Sequence, residues 1–96
     1  MKFLVFWKIG KNIDTKKIAK VVAEMMEKEV FPSKGVEVHE WLVCPGGKGI
    51  TILEAKNEAD AFRSYSVWAS AIPGFFDEYE MHPALEVADA IPIGME

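Results

Sequence analysis

The sequence contains very little cysteine, since Cys44 is the only one among its 96 residues. A single thiol excludes a disulfide within one chain, and it excludes a structural zinc site built from several cysteines of one subunit. This composition favours a reducing compartment, and we expect the protein in the cytoplasm. Cys44 has no neighbouring activator in the sequence, which favours a small buried hydrophobe over a nucleophile.

Arginine is almost as rare as cysteine. Arg63 is the only one, and the other basic residues are all lysines. The planar fork with which arginine reads phosphates and base edges is therefore nearly missing. The chain also carries 15 acidic against 11 basic side chains, a formal net charge of −4 that repels a phosphate backbone. We expect no nucleic-acid partner.

Long hydrophobic runs are absent too. No apolar stretch approaches the roughly 20 residues that a membrane helix needs. The run from Phe3 to Trp7 is interrupted by Lys8, and no small-residue cleavage pattern follows it, so we do not expect a signal peptide. A membrane is therefore not an expected partner.

What the chain does contain is enough apolar material for one core. Half of its residues are apolar, which suits one layer of helices on one sheet, and we expect a single ferredoxin-like domain over residues 1–96. The spacing of the apolar residues predicts the order βαββαβ. Strands are predicted over residues 2–9, 36–44, 49–56 and 75–83, and helices over about 15–30 and between Asn57 and Pro73, followed by a short helix or docking arm over 85–91.

This order favours a four-stranded antiparallel ferredoxin-like sheet in the spatial order 4-1-3-2, with both helices on one face. The predicted strands nevertheless have apolar residues on both faces, as Phe3 and Val5 against Leu4 and Phe6 illustrate. An apolar sheet face of several hundred Å² is rare on a monomer. We infer that a second copy covers it, as a homodimer or a higher homo-oligomer.

Four segments resemble a small uncharacterised family of the dimeric α+β barrel superfamily. They are KFLVFWKI at the start, the hairpin HEWLVCPGGKGITILEAKNEADAF, Trp68 late in the second helix, and YEMHPALEVADA near the end. The resemblance implies the fold and a dimer. The wider superfamily includes cofactor-free monooxygenases, muconolactone-type isomerases, haem-dependent enzymes and ligand-sensing domains, and fold analogy does not choose among them.

The hairpin between the second and third strands carries a candidate acid–base pair. A four-residue turn from Pro45 to Lys48 would place Cys44 opposite Gly49. Three pairs would then share one face of the sheet: His39 with Glu54, Trp41 with Ile52, and Glu37 with Lys56. A slip of one residue would move Glu54 to the other face, so the prediction depends on the register.

His39 and Glu54 are the candidate catalytic residues. A carboxylate beside an imidazole holds one tautomer and favours proton transfer near neutrality. An ordinary polar pair on a half-buried sheet has the same appearance, and it stays open as the alternative.

Four side chains have the chemistry of metal ligands. His39, Glu54, Glu80 and His82 are suitable ligand types for zinc or iron. The second and fourth strands are three spacings apart in the predicted sheet, roughly 14 Å at about 4.8 Å per strand, whereas metal–ligand bonds are near 2 Å. We expect no metal and no cofactor within one subunit. A site shared across a dimer, or haem bound through either histidine, stays open without a spacing motif.

The leading hypothesis is a homodimer that binds a small apolar or aromatic molecule between sheet and helices. Trp41, with His39 and Glu54, is expected to line the cavity, and Trp7 and His82 are further candidate ligand-binding residues. Two alternatives remain open. One is a cofactor-free isomerase or monooxygenase in which His39 is the base and Glu54 orients it, and the other is a purely structural or regulatory self-association module.

Overall fold

A computed structural model describes all 96 residues. The elements are β1 (Lys2–Ile9), α1 (Thr15–Glu27), β2 (Val36–Val43), β3 (Lys48–Ala55), α2 (Glu58–Ala71), β4 (Phe76–Ala84) and α3 (Val87–Gly94). The four strands form one antiparallel sheet in the order β2-β3-β1-β4. This is the predicted order read from the other edge, and it confirms the ferredoxin-like fold.

Both main helices begin at a residue whose side chain caps the first turn. The Asp14 carboxylate accepts a hydrogen bond from the Lys16 amide (3.0 Å), and the Asn57 side chain accepts one from the Asp60 amide (2.9 Å). Helix α1 ends at Glu27, earlier than predicted, because Glu29 adopts a left-handed φ of 55°. A residue in that conformation closes the last turn of a helix and redirects the chain.

Helices α1 and α2 bury one face of the sheet. Phe3 and Val5 of β1 and Leu53 of β3 alternate onto this face and are almost fully buried. Trp68 of α2 and Ile72, which follows that helix, belong to a second buried cluster with Met25 of α1 and the loop residues Phe31 and Phe75. The core therefore lies entirely between this face and the two helices.

The opposite, helix-free face has an apolar centre. Alternation along paired strands places Leu4, Phe6, Ile50, Ile52 and Leu42 on it. Phe6 is 43% exposed although it lies on an interior strand, and Leu42 is 56% exposed. The expectation of apolar residues on both sides of the sheet therefore agrees with the structure.

The predicted register of the β2–β3 hairpin is wrong by one residue near the turn. Val43, not Cys44, lies opposite Gly49. Gly47 has a φ of 84° and donates to the Cys44 carbonyl (3.0 Å), so the turn closes on Cys44 and contains one residue more than expected. Cys44 is also exposed, which contradicts the expected burial.

Beyond β4 the chain forms α3, which has no buried residue. It was expected as a short helix or arm over 85–91 and lies slightly later, at Val87–Gly94. Its apolar side chains Val87, Ile91 and Ile93 are exposed, as is Met95 just after the helix. None of the helices is long and apolar enough to cross a membrane.

Candidate functional site

A cavity of about 320 Å³ lies between the sheet and the helices. It has 16 lining residues, of which 14 are hydrophobic. Each of the four strands contributes to the wall, and α1 and α2 close the other side. Trp41 and Val43 of β2 line the cavity and are themselves exposed, so its mouth lies along this edge strand.

Aromatic rings form one end of the wall. Trp41 packs against Phe31 with ring centroids 5.0 Å apart and against Trp68 at 5.7 Å. Phe75 stacks on Trp68 at 5.2 Å. These spacings are typical of favourable aromatic pairs, so this end of the cavity is a rigid apolar surface.

Trp7 forms a second part of the cavity wall, and contacts with Gly49 and Thr51 fix its position. Trp7 and Gly49 are directly paired across β1 and β3, and a Cβ atom on Gly49 would lie 2.1 Å from Cζ2 of the indole. The indole Nε1 donates to Thr51 Oγ1 at 2.9 Å. The indole ring of Trp7 therefore lies flat over Gly49, and its hydrogen bond to Thr51 fixes its orientation.

Few polar atoms reach the cavity, and no charged side chain lines it. Thr51 and Ser64 are both buried, and the Ser64 hydroxyl has no hydrogen-bond partner in the protein. Tyr79 also lines the cavity. Burial, followed by the neighbouring Tyr65, raises the pKa of Tyr79 to about 12, so its phenol is neutral at physiological pH.

The candidate acid–base pair lies outside this cavity. His39 Nε2 and Glu54 Oε1 are 3.3 Å apart, and both side chains are partly exposed on the helix-free face. The contact forms although the predicted register is wrong, because an irregularity between Val38 and Glu40 turns His39 toward Glu54. A catalytic role for the pair stays a prediction.

The prediction that Trp41 shares a face of the sheet with His39 and Glu54 is wrong. Trp41 lies opposite Thr51, which faces the helices, whereas Glu54 faces away from them. The one-residue shift in register at Trp41 moves the indole to the other side of the sheet. Trp41 and Trp7 therefore line the cavity, and His39 and Glu54 do not.

His82 does not line the cavity either. It lies opposite Leu4 on the edge strand β4, on the helix-free face, where its Nε2 is 3.4 Å from Glu80 Oε2. Strands β2 and β4 are the two edges of the sheet, so His39 and His82 are three strands apart in one chain. A ligand-binding role for His82 would have to be exercised on the helix-free face.

A family model, described as a domain of unknown function, DUF3303, matches the sequence over residues 1–96. The chain belongs to the DUF3303 family. No curated protein matches its sequence. The chain is similar in structure to a candidate antibiotic biosynthesis monooxygenase from Nitrosomonas europaea, with a TM-score of 0.50 and 14% sequence identity over 88% of this chain and 98% of the other. At that identity the likeness supports the ferredoxin-like α+β fold of this DUF3303 protein and no activity.

One cluster in the DUF3303 chain has the side chains of a metal site. Glu37, His39 and Glu54 offer ligand atoms that all lie within 4.8 Å of one another. Glu37 was expected opposite Lys56, but it lies opposite Glu54, because the bulge at His39 shifts the register again. Bonds near 2 Å would require these side chains to move closer together. The cluster has only three protein ligands, and two of its residues are exposed.

Sequence reasoning missed the polar residues of the cavity. Ser64 follows Ala61 by three residues and precedes Trp68 by four, so it lies on the buried stripe of α2. A serine on an otherwise apolar helix stripe is the signal in the sequence that could have identified this cavity residue. Phe62, on the same helix, is 61% exposed.

Proposed function

We propose that this DUF3303 protein is a homodimeric α+β barrel that binds a small apolar or aromatic molecule in the cavity between sheet and helices. The observation that carries the proposal is the cavity of about 320 Å³ with its aromatic wall. Ligand sites in proteins are typically clefts of about 300–1,000 Å³, lined mainly by hydrophobic and aromatic side chains. The volume is at the lower end of that range and suits a small molecule.

Packing energetics support a binding role for this space. A core selected only for stability would close it, since a residual cavity costs about 24 cal/mol per Å³. Large aromatic side chains such as Trp41, Trp68 and Phe31 surround the space without filling it. An apolar ligand would restore the missing contacts and exclude water from the wall.

Isothermal titration with ethylnaphthalene, a neutral aromatic probe, tests the proposal. We expect binding to the natural protein, with a change in tryptophan fluorescence, since Trp7, Trp41 and Trp68 line the cavity. Val43→Phe at the exposed mouth should weaken binding about tenfold, or 1.4 kcal/mol. Val30→Phe is the matched control, because Val30 is exposed outside this cavity. Equal affinities for the two variants would contradict the proposal.

The homodimer is proposed from the apolar centre of the helix-free face. Interfaces typically have an apolar centre and a polar rim, as this face does. Its two ends differ in charge, with two acids and one lysine at one end and two lysines and one acid at the other: Glu37, Glu54 and Lys2 against Lys8, Lys48 and Glu78. A two-fold axis that makes the strands of the two sheets antiparallel would place the more acidic end of one protomer against the more basic end of the other. A second copy of the chain therefore suits this face.

Sedimentation equilibrium of two aromatic variants tests the dimer. Phe6→Lys places a charge in the centre of the helix-free face, opposite Glu80, where a monomer tolerates it. Phe62→Lys makes the same change on the exposed side of α2. We expect the first variant to be monomeric at micromolar concentration, and the second to remain dimeric. A monomeric natural protein, or two variants that behave alike, would refute this assembly.

The enzyme alternative is a cofactor-free isomerase or monooxygenase in which His39 is the base. The 3.3 Å contact between His39 and Glu54 supports it, and a related fold occurs in the candidate monooxygenase of Nitrosomonas europaea. The substrate would have to reach the helix-free face. His39→Ala should abolish turnover without unfolding the protein, and for the monooxygenase the readout is oxygen uptake with an aromatic hydroxyl compound such as naphthol. The self-association module instead requires a dimer that binds no probe and tolerates His39→Ala.

The cytoplasm is the proposed location. Its support is chemical, because Cys44 is a single free thiol exposed at the hairpin turn. Exposed unpaired thiols persist in reducing compartments and become oxidised outside them.

A further inference from the structure

Ser64 is the one buried polar side chain of the cavity wall whose hydroxyl has no hydrogen-bond partner in the protein. Its residue is only 4% exposed. A serine inside a helix commonly donates to the carbonyl one turn earlier, but this hydroxyl does not. Buried hydroxyls without a partner are rare in folded proteins and require an explanation.

Thr51 provides a second hydroxyl in the same wall. Its Oγ1 accepts the indole hydrogen of Trp7 at 2.9 Å. Because the oxygen is used as the acceptor in that contact, the hydroxyl hydrogen of Thr51 remains to be donated elsewhere. Ser64 and Thr51 thus add aliphatic hydroxyl donors to a mainly apolar wall.

The same wall is unsuited to charged ligands. None of its 16 residues carries a charge. A carboxylate or ammonium entering it would lose its water without gaining a partner of opposite charge, which is strongly unfavourable. The ligand class is therefore restricted to uncharged molecules.

We infer that the cavity takes an uncharged apolar or aromatic molecule with one hydrogen-bond acceptor, such as a carbonyl oxygen, to which Ser64 donates. This inference rests on the proposed binding function and names the ligand class for the same cavity. Thr51, oriented by Trp7, is the second donor available to the acceptor. Ser64 thereby gives the apolar cavity a preference for ligands that carry a hydrogen-bond acceptor.

Three matched probes test the inference by isothermal titration: ethylnaphthalene, naphthyl methyl ketone and naphthoate, all substituted at the same ring position. The ketone differs from the hydrocarbon by its acceptor oxygen, and naphthoate adds a charge. A neutral hydrogen bond contributes about 0.5–1.5 kcal/mol, or roughly two- to tenfold in affinity. We expect the natural protein to bind the ketone more tightly than the hydrocarbon by such a factor, and naphthoate most weakly.

Ser64→Ala should remove the preference for the ketone and leave the affinity for ethylnaphthalene unchanged or higher. Ser70→Ala, on an exposed position of the same helix, is the control and should retain the preference. A ketone preference that survives Ser64→Ala, or naphthoate as the tightest ligand, would overturn the inference and leave cavity binding intact. If none of the three probes binds, the proposed binding function fails together with the inference.

Discussion

At the scale of single residues, the cavity wall depends on a close contact between one indole and one glycine. Trp7 lies flat on Gly49, with room for no side chain there. Bare glycine on a strand is ordinarily unfavourable, but a large ring from the neighbouring strand covers the backbone and compensates. The shape of this part of the cavity therefore depends on the absence of one methyl group.

Gly49→Ala tests this contact. The added Cβ would collide with the indole, displace Trp7 from the wall and separate Nε1 from Thr51. We expect a loss of about 1–3 kcal/mol in the free energy of unfolding, measured by urea denaturation, with a changed tryptophan emission spectrum. Gly94→Ala is the control, since nothing lies within 4 Å of a Cβ at that position, and its effect should stay within about 0.5 kcal/mol.

Replacing Ser64 by alanine should stabilise the ligand-free protein, which is unusual for a buried position. The unpartnered buried hydroxyl of Ser64 has lost its hydration without gaining a hydrogen bond, which costs about 1–3 kcal/mol. Ser64→Ala should therefore raise the free energy of unfolding of the ligand-free protein. Ser70→Ala measures the part that comes from helix propensity alone, about 0.5 kcal/mol. If Ser64→Ala is no more stabilising than Ser70→Ala, the hydroxyl has a partner in solution.

At the scale of elements, α3 is the least integrated part of the fold. It buries none of its residues, and an ion pair between Lys2 of β1 and Glu86 at its start joins it to the sheet. Hydrogen bonding to Lys2, followed by the charge of Lys2, lowers the pKa of Glu86 below its ordinary value of 4.5. The pair therefore exists above that value and is lost as the pH falls through the lowered pKa.

Acidification should thus release α3 before it affects the sheet. We expect backbone heteronuclear NOE values of residues 87–94 to fall as the pH is lowered from 6 through the region below 4.5, while those of β1 and β3 stay constant. Glu86→Gln should show the low values already at pH 6. Because the pair is exposed, high salt should act in the same direction. Helix values that do not respond to pH in the natural protein would mean that other contacts hold α3.

The β2–β3 hairpin illustrates how far elements could be predicted. The positions of both strands follow from alternation, and Gly46 and Gly47 mark the turn. The register does not follow, because the turn contains one residue more than the spacing predicts and the pairing shifts again between Val38 and Glu40. Each shift moves side chains across the sheet, so Trp41 reaches the cavity while His39 still meets Glu54.

At the scale of the whole molecule, two surfaces of the protomer differ in what they can bind. The cavity opens along β2 between sheet and helices, whereas the helix-free face presents its apolar centre to solvent. Leu42 belongs to both surfaces, since it lies on the helix-free face and also lines the cavity. Phe6 does not line the cavity, and Val43 faces the helices, so Phe6→Lys should change self-association alone and Val43→Phe should change ligand binding alone.

Thermal unfolding should depend on protein concentration if the helix-free face is a dimer interface. A hundredfold increase in concentration adds about 2.7 kcal/mol to the stability of a dimer that unfolds to monomers. We expect a Tm that rises by several degrees over this range for the natural protein and for Phe62→Lys, and a constant Tm for Phe6→Lys. Differential scanning calorimetry makes the measurement, and a constant Tm for all three proteins would exclude an obligate dimer.

The sequence by itself determined the order of the elements, the helix caps at Asp14 and Asn57, and the apolar character of both sheet faces. These features follow from the spacing of apolar and capping residues within each segment, so they require no contact with the rest of the chain. Only the tertiary structure decided which residues form the cavity and which lie behind the sheet. The face on which Trp41 lies depends on how β2 and β3 pair across the turn, and the contact of His39 with Glu54 depends on the irregularity between Val38 and Glu40, so each requires two strands together.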